Sequence, residues 1–140
     1  DPDELRASTP AESARLELLH KTHAALGELI IARLGKLPPT ARLPLANGQE
    51  MLVVHGSPAD PSVAMGVEMT DDELNALLGD EPADIVVCGA SHVPFTRVVG
   101  DTQIVNVGCV GERPTAGFAN ATTIDTLSMG LGIEQFVIDV

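Results

Sequence analysis

A chain of 140 residues with 8 basic and 20 acidic side chains carries a formal net charge of −12 at neutral pH, which argues against a nucleic-acid backbone or an anionic membrane as main partner, since both attract positive surface. Three phenylalanines, with no tryptophan or tyrosine, leave no stacking platform for single-stranded nucleic acid. Hydrophobic residues make up 44% of the chain, enough for the core of one domain, and two cysteines form no disulfide framework, so one cytoplasmic domain without a membrane span is expected.

Thr9, Pro10 and Glu12 make a helix start: a hydroxyl cap, a proline at the first helical position and an acid in the first turn. Leu16, Leu19, Leu26, Leu29, Ile30 and Leu34 recur at helical spacing, which predicts one long amphipathic helix over about 10–36, ended by Pro38-Pro39. Residues 41–55 read as a hairpin. Arg42-Leu-Pro-Leu45 forms one arm, Asn47-Gly48 the turn, and Met51-Leu-Val-Val54 the other arm, apolar at every position and so expected to be buried on both faces. Thr70-Asp-Asp-Glu73 is a capping box, with Leu74, Leu77 and Leu78 on one face of a short helix closed by Gly79. Asp84-Ile-Val-Val-Cys88 is a second buried strand. Strands at 95–99 and 103–107 flank a Gly100-Asp101 turn, a loop follows over 108–117, and two last strands are expected at 122–129 and 133–140. A start without Met, and a strand that runs to Val140, are expected of a piece of a longer protein.

His20 and His23 lie three apart on one face of the first helix, where a pair of boundary histidines is the expectation. His55 and His92 differ from them. Each follows an apolar strand and has a glycine adjacent or nearby, in Val53-Val-His-Gly56 and Val87-Cys-Gly-Ala-Ser-His92. Ligands of sheets flanked by helices bind at the carboxyl ends of the strands, and neutral imidazole is the commonest metal ligand. By spacing alone, His55 and His92 read equally as ligands in one crevice and as two ordinary loop histidines.

Three segments together resemble the calcineurin-like metallophosphoesterases, in particular the small bacterial phosphodiesterase branch. Val53-Val-His-Gly-Ser57 resembles the family's apolar strand ending in H-G-S or H-G-T. Gly89-Ala-Ser-His-Val-Pro-Phe95 resembles G-H-T-H-V-P, and Gln103-Ile-Val-Asn-Val-Gly-Cys-Val-Gly111 resembles I-x-N-P-G-S-V-G. The resemblance covers residues 50–112 closely and the rest loosely. It implies an α/β fold, here the C-terminal half of a mixed β-sandwich flanked by helices, with a metal site at the strand ends. It also implies divalent transition metal (manganese, iron, zinc or nickel), up to two ions, and hydrolysis of a small phosphorylated substrate by metal-activated water. His55 would correspond to a ligand of the second ion, and His92 to the last histidine of G-H-x-H, a ligand of the first.

The sequence departs from the family pattern in three respects. Ala90 stands at the first histidine of G-H-x-H, and a methyl group cannot coordinate, so the second site would be weakened. Val107 and Cys109 replace the usual Pro and Ser, which reads as a change of packing. The front motifs D-x-H, G-D-x-x-D and G-N-H-D are absent. Asp1 would then correspond to the last Asp of G-N-x-D, the acid that protonates the leaving group. The missing ligands would come from an N-terminal half, in cis or as a second chain. Ser57 and Ser91 would orient substrate or ligands, or be solvated loop serines. The alternative to an enzyme is a catalytically impaired member of the fold that acts as a binding or regulatory module.

Overall fold

The computed structural model describes residues 5–80, 83–110, 118–127 and 130–139. The chain divides into two compact units between Pro38 and Pro39.

The first unit is built on α1 (Pro10–Leu34). Thr9 caps it as expected: its hydroxyl accepts the Glu12 amide at 3.2 Å, and the Glu12 carboxylate returns to the amides of Thr9 and Ser8 at 3.0 and 2.7 Å. The continuous helix of the sequence reading is interrupted. Gly27 has φ 73 and ψ 162, a non-helical conformation open to a residue without Cβ, so the helical periodicity runs across a kink. No residue of α1 is buried.

The second unit holds β1 (Thr40–Pro44), β2 (Glu50–Val54), α2 (Asp71–Leu78), β3 (Ile85–Cys88), β4 (Phe95–Val99), β5 (Thr102–Asn106), β6 (Phe118–Thr126) and β7 (Leu131–Asp139). Five strands form a mixed sheet in the order β1-β2-β3-β5-β4, and β6 and β7 pair separately. β2, β3 and β5 are parallel to one another at the centre, while β1 and β4 close the edges antiparallel. β1 and β2 meet through the expected turn, where Gly48 takes φ 88 and the Leu45 amide donates to Gln49 O at 2.8 Å. Parallel β2 and β3 require a crossover, and the loop after His55 together with α2 supplies it.

Residues of β2 are not buried on both faces throughout. Leu52 and Val54 are buried, whereas Met51 and Val53 are half-buried, the alternation of a strand covered more fully on one face. Leu74 and Leu78, four apart on α2, are buried in the core with Leu52, Val54, Met65, Val86, Phe95 and Ile104. Burying each such leucine fully stabilises the fold by roughly 1.5–3 kcal/mol. Arg97 of β4 fastens the start of α2. Its guanidinium donates to Met69 O at 2.6 Å and pairs with Asp71 at 2.8 Å.

The last two strands lie earlier than their apolar runs suggest, because nine cross-strand pairs run from Phe118↔Asp139 to Thr126↔Leu131. This hairpin is tied to the large sheet by Gln135 Nε2 donating to Asn106 O at 2.8 Å and by the Asn120 amide donating to Cys109 O at 2.9 Å. The fold is α/β on a mixed sheet, as expected.

Register fixes where the site falls. Val53, Val87 and Val105 lie in one row, and Cys88 pairs with Asn106 at the next. The three parallel strands therefore end at one carboxyl edge, and the residues that follow them are His55, Gly89 and Val107.

Thr70 caps α2 as its capping box predicts, accepting the Glu73 amide at 3.3 Å while the Glu73 carboxylate accepts the Thr70 amide at 2.7 Å. Thr70→Ala should cost about 1 kcal/mol in urea unfolding. The Thr70 backbone amide, and then its hydroxyl, hold the Glu73 carboxyl below its ordinary 4.5. The carboxylate's contribution is therefore present above about pH 4.5 and lost as pH falls through the lowered folded value. The gap between parent and Thr70→Ala should narrow on acidification through that window without closing, because only the hydroxyl's bond to the carboxylate titrates while its bond to the Glu73 amide does not.

Candidate functional site

His55 leaves β2 at the carboxyl edge and is exposed. Its carbonyl accepts the amides of Gly89 and Ala90 at 3.0 and 2.9 Å, which staples the end of β2 to the turn after β3. Gly56 next to it is a steric requirement: a Cβ there would lie 2.4 Å from Pro61 O and 2.6 Å from Val63 O, both backbone atoms. Ser57 is fully buried, not a solvated loop serine. Its hydroxyl donates to Asp60 O at 2.9 Å and accepts the Asp60 amide at 3.1 Å, so it serves the crossover loop.

His92 is half-buried and ends a tight turn in which its amide donates to Gly89 O at 3.1 Å. Its φ of 61 is the one positive value of a non-glycine residue among the described residues. For a non-glycine residue this conformation costs on the order of 1–3 kcal/mol, and such strain clusters at functional sites. The structure thus brings the two selected histidines to one edge through backbone hydrogen bonds, with Ala90 between them. Asp1 lies outside the described residues. His20 is exposed and His23 half-buried on α1, in the other unit.

Asn106 has a role that its place in the sequence does not specify. It is fully buried at the end of β5. Its Nδ2 donates to Ser91 Oγ at 2.8 Å and to Met65 O at 3.3 Å, and its Oδ1 accepts the Gly108 amide at 3.0 Å. The available signal was an amide side chain inside the otherwise apolar run Ile104-Val-Asn-Val107, because buried polar groups must find partners. Cys88, its strand neighbour, is pushed up to about 11 by burial, opposed by a hydrogen bond with Asn106. At neutral pH this thiol stays protonated.

Imidazoles at a strand-end edge suit a divalent ion in chemistry and fall short in number. Among the described residues no group of three or more His, Cys, Asp or Glu side chains could hold a metal, whereas such sites use three or four protein ligands. A cleft of about 350 Å³ opens elsewhere in this unit, lined by Thr40, Arg42, Leu52, Leu78 and Asp80 among others and by neither histidine. Among the described residues no helix is long and apolar enough to cross a membrane.

Relief of the strain gives a direct test. His92→Gly should raise stability to urea by about 0.5–1 kcal/mol, the relieved left-handed strain less the added freedom of glycine in the unfolded chain. Unchanged or lower stability would mean that the turn does not load this residue.

The model of the calcineurin-like phosphoesterase superfamily domain matches residues 9–128. No curated protein matches the sequence. The crystal structure of hypothetical protein PH1004 from Pyrococcus horikoshii OT3 is similar over 99% of this chain and 53% of its own, with TM-score 0.76 and 18% identity. Wild-type Vps29 from Entamoeba histolytica, complexed with Zn2+, is similar over 74% of this chain and 62% of its own, with TM-score 0.51 and 17% identity. This chain thus spans about half to three-fifths of the length of these two structures, and at such identities the likeness shows the fold. With the family match across most of the chain and the mixed sheet in place, the chain belongs to the calcineurin-like phosphoesterase superfamily.

Proposed function

We propose that this chain is the C-terminal part of a metal-dependent phosphoesterase. In this reading His55 and His92 are two ligands of a metal site whose other donors lie outside the described residues, in the same polypeptide or in a second chain. The observation that carries the reading is the stapled edge: His55 O holds the Gly89 and Ala90 amides, and the strained His92 follows two residues later. A divalent ion in such a site lowers the pKa of bound water and neutralises charge on phosphoryl oxygens. The net charge of −12 does not exclude an anionic phosphoester, since a bound ion reverses the local sign. The substrate class is a small phosphomonoester or phosphodiester, and Asp1 keeps its proposed role as proton donor to the leaving group.

Ala90 favours a second reading, a binding or regulatory module that keeps the fold without turnover. Its amide donates to His55 O, so position 90 is next to His55 and offers only a methyl group where the family has an imidazole. The two readings part on measurement. In the phosphoesterase reading, the full-length protein carries transition metal by elemental analysis, His55→Ala and His92→Ala each lower it, and a generic phosphodiester is hydrolysed with manganese. Metal-free protein without turnover leaves the module. Ala90→His should tighten uptake of a second ion by at least ~10-fold, the scale of a lost supporting ligand interaction. If that variant binds no more metal than the parent, position 90 is not a ligand position.

A further inference from the structure

The edge holds one element that neither the fold nor the metal reading explains, the tether on Ser91. This residue directly precedes His92, and its hydroxyl oxygen accepts the Asn106 amide at 2.8 Å. The Asn106 side chain cannot turn over. Its Oδ1 takes the Gly108 amide at 3.0 Å, and its nitrogen also reaches Met65 O at 3.3 Å, so the donor side must face Ser91. Its backbone is fixed as well, paired with Cys88 on one side and Phe95 on the other. Ser91 is thereby anchored to a strand paired on both sides. On the other side of His92, Val93 precedes Pro94, and a residue before proline is confined to extended conformations. With both neighbours constrained, the change of chain direction falls on His92, which takes φ 61.

We propose that Ser91, anchored by Asn106, is a positioning residue for His92, holding the left-handed turn that fixes where the imidazole is presented at the carboxyl edge. The inference rests on the reading of His92 as a metal ligand. It assigns position 91 a need for a hydroxyl acceptor: without one, an N–H of the buried Asn106 loses its partner and the turn loses its tether.

The test compares Ser91→Thr with Ser91→Val, which differ in the hydroxyl alone, with Ser91→Ala and His92→Ala alongside, all in the full-length protein. Each variant is checked for folding by circular dichroism and titrated with Co2+, whose visible absorption reports coordination geometry. Ser91→Val and Ser91→Ala should weaken Co2+ binding about tenfold and alter its bands, whereas Ser91→Thr should stay within about twofold of the parent, as expected when a group orienting a ligand is removed or kept. Without metal, amide hydrogens of residues 89–92 should exchange faster in Ser91→Val than in Ser91→Thr. Equal exchange in the two overturns the positioning role whatever the metal does. Ser91→Val titrating like the parent while His92→Ala loses the ion overturns it too, and leaves the metal reading standing. If parent and His92→Ala titrate alike, His92 is not a ligand, and both readings fall together. Should Ser91→Val not fold, Ser91→Ala takes its place in every comparison.

Discussion

The buried amide of Asn106 is the constraint around which the carboxyl edge is organised. One side chain meets the loop after β3 at Ser91, the crossover loop at Met65 O and its own following turn at Gly108, while its carbonyl receives Gln135 from β7. Each of these bonds is worth only about 1 kcal/mol net, but leaving a buried polar atom without its partner costs about 1–3 kcal/mol. Three loops and the second sheet are therefore held in one arrangement by the need to satisfy a single residue. The same burial keeps the neighbouring Cys88 thiol protonated, so the sheet's end presents neutral polar groups inward and imidazoles at the rim.

Around that amide the backbone does the placing. His55 is set by its carbonyl, which takes two amides of the opposite turn, and by Gly56, where no Cβ fits against Pro61 and Val63. Gly108 repeats the device: with φ 75, an added Cβ would lie 2.6 Å from the Asn120 side chain, which itself accepts the Cys109 amide at 3.3 Å. Strand ends, two glycines without room for side chains and one strained histidine together define the rim. Parallel strands make this possible, since they deliver their last residues to the same edge.

The composition of that rim bears on function. It has two imidazoles, too few for an ion among the described residues, and a methyl group at Ala90 beside His55. In the phosphoesterase reading proposed above, the ion's other donors come from another stretch of polypeptide. In that reading, metal affinity and turnover depend on what completes the rim.

The sequence by itself determined the features set by neighbours a few residues apart. These include the caps at Thr9 and Thr70, the turns at Asn47-Gly48 and Gly100-Asp101, the α/β class, and the two histidines at strand ends, because capping, turn chemistry and strand periodicity act over one to four residues. The roles of Asp1 and of a metal rest on family resemblance, and the described residues establish neither. Tertiary structure alone decided the rest. The kink at Gly27, the uneven burial of β2, the buried Ser57 and the limits of β6 and β7 depend on which partner lies opposite, and nothing nearby in sequence specifies that. The left-handed turn at His92 is the sharpest case. It arises because Ser91 is tied to Asn106, 15 residues further along the chain, while the following proline stiffens Val93, so the strain depends on a contact that exists only once the sheet has formed.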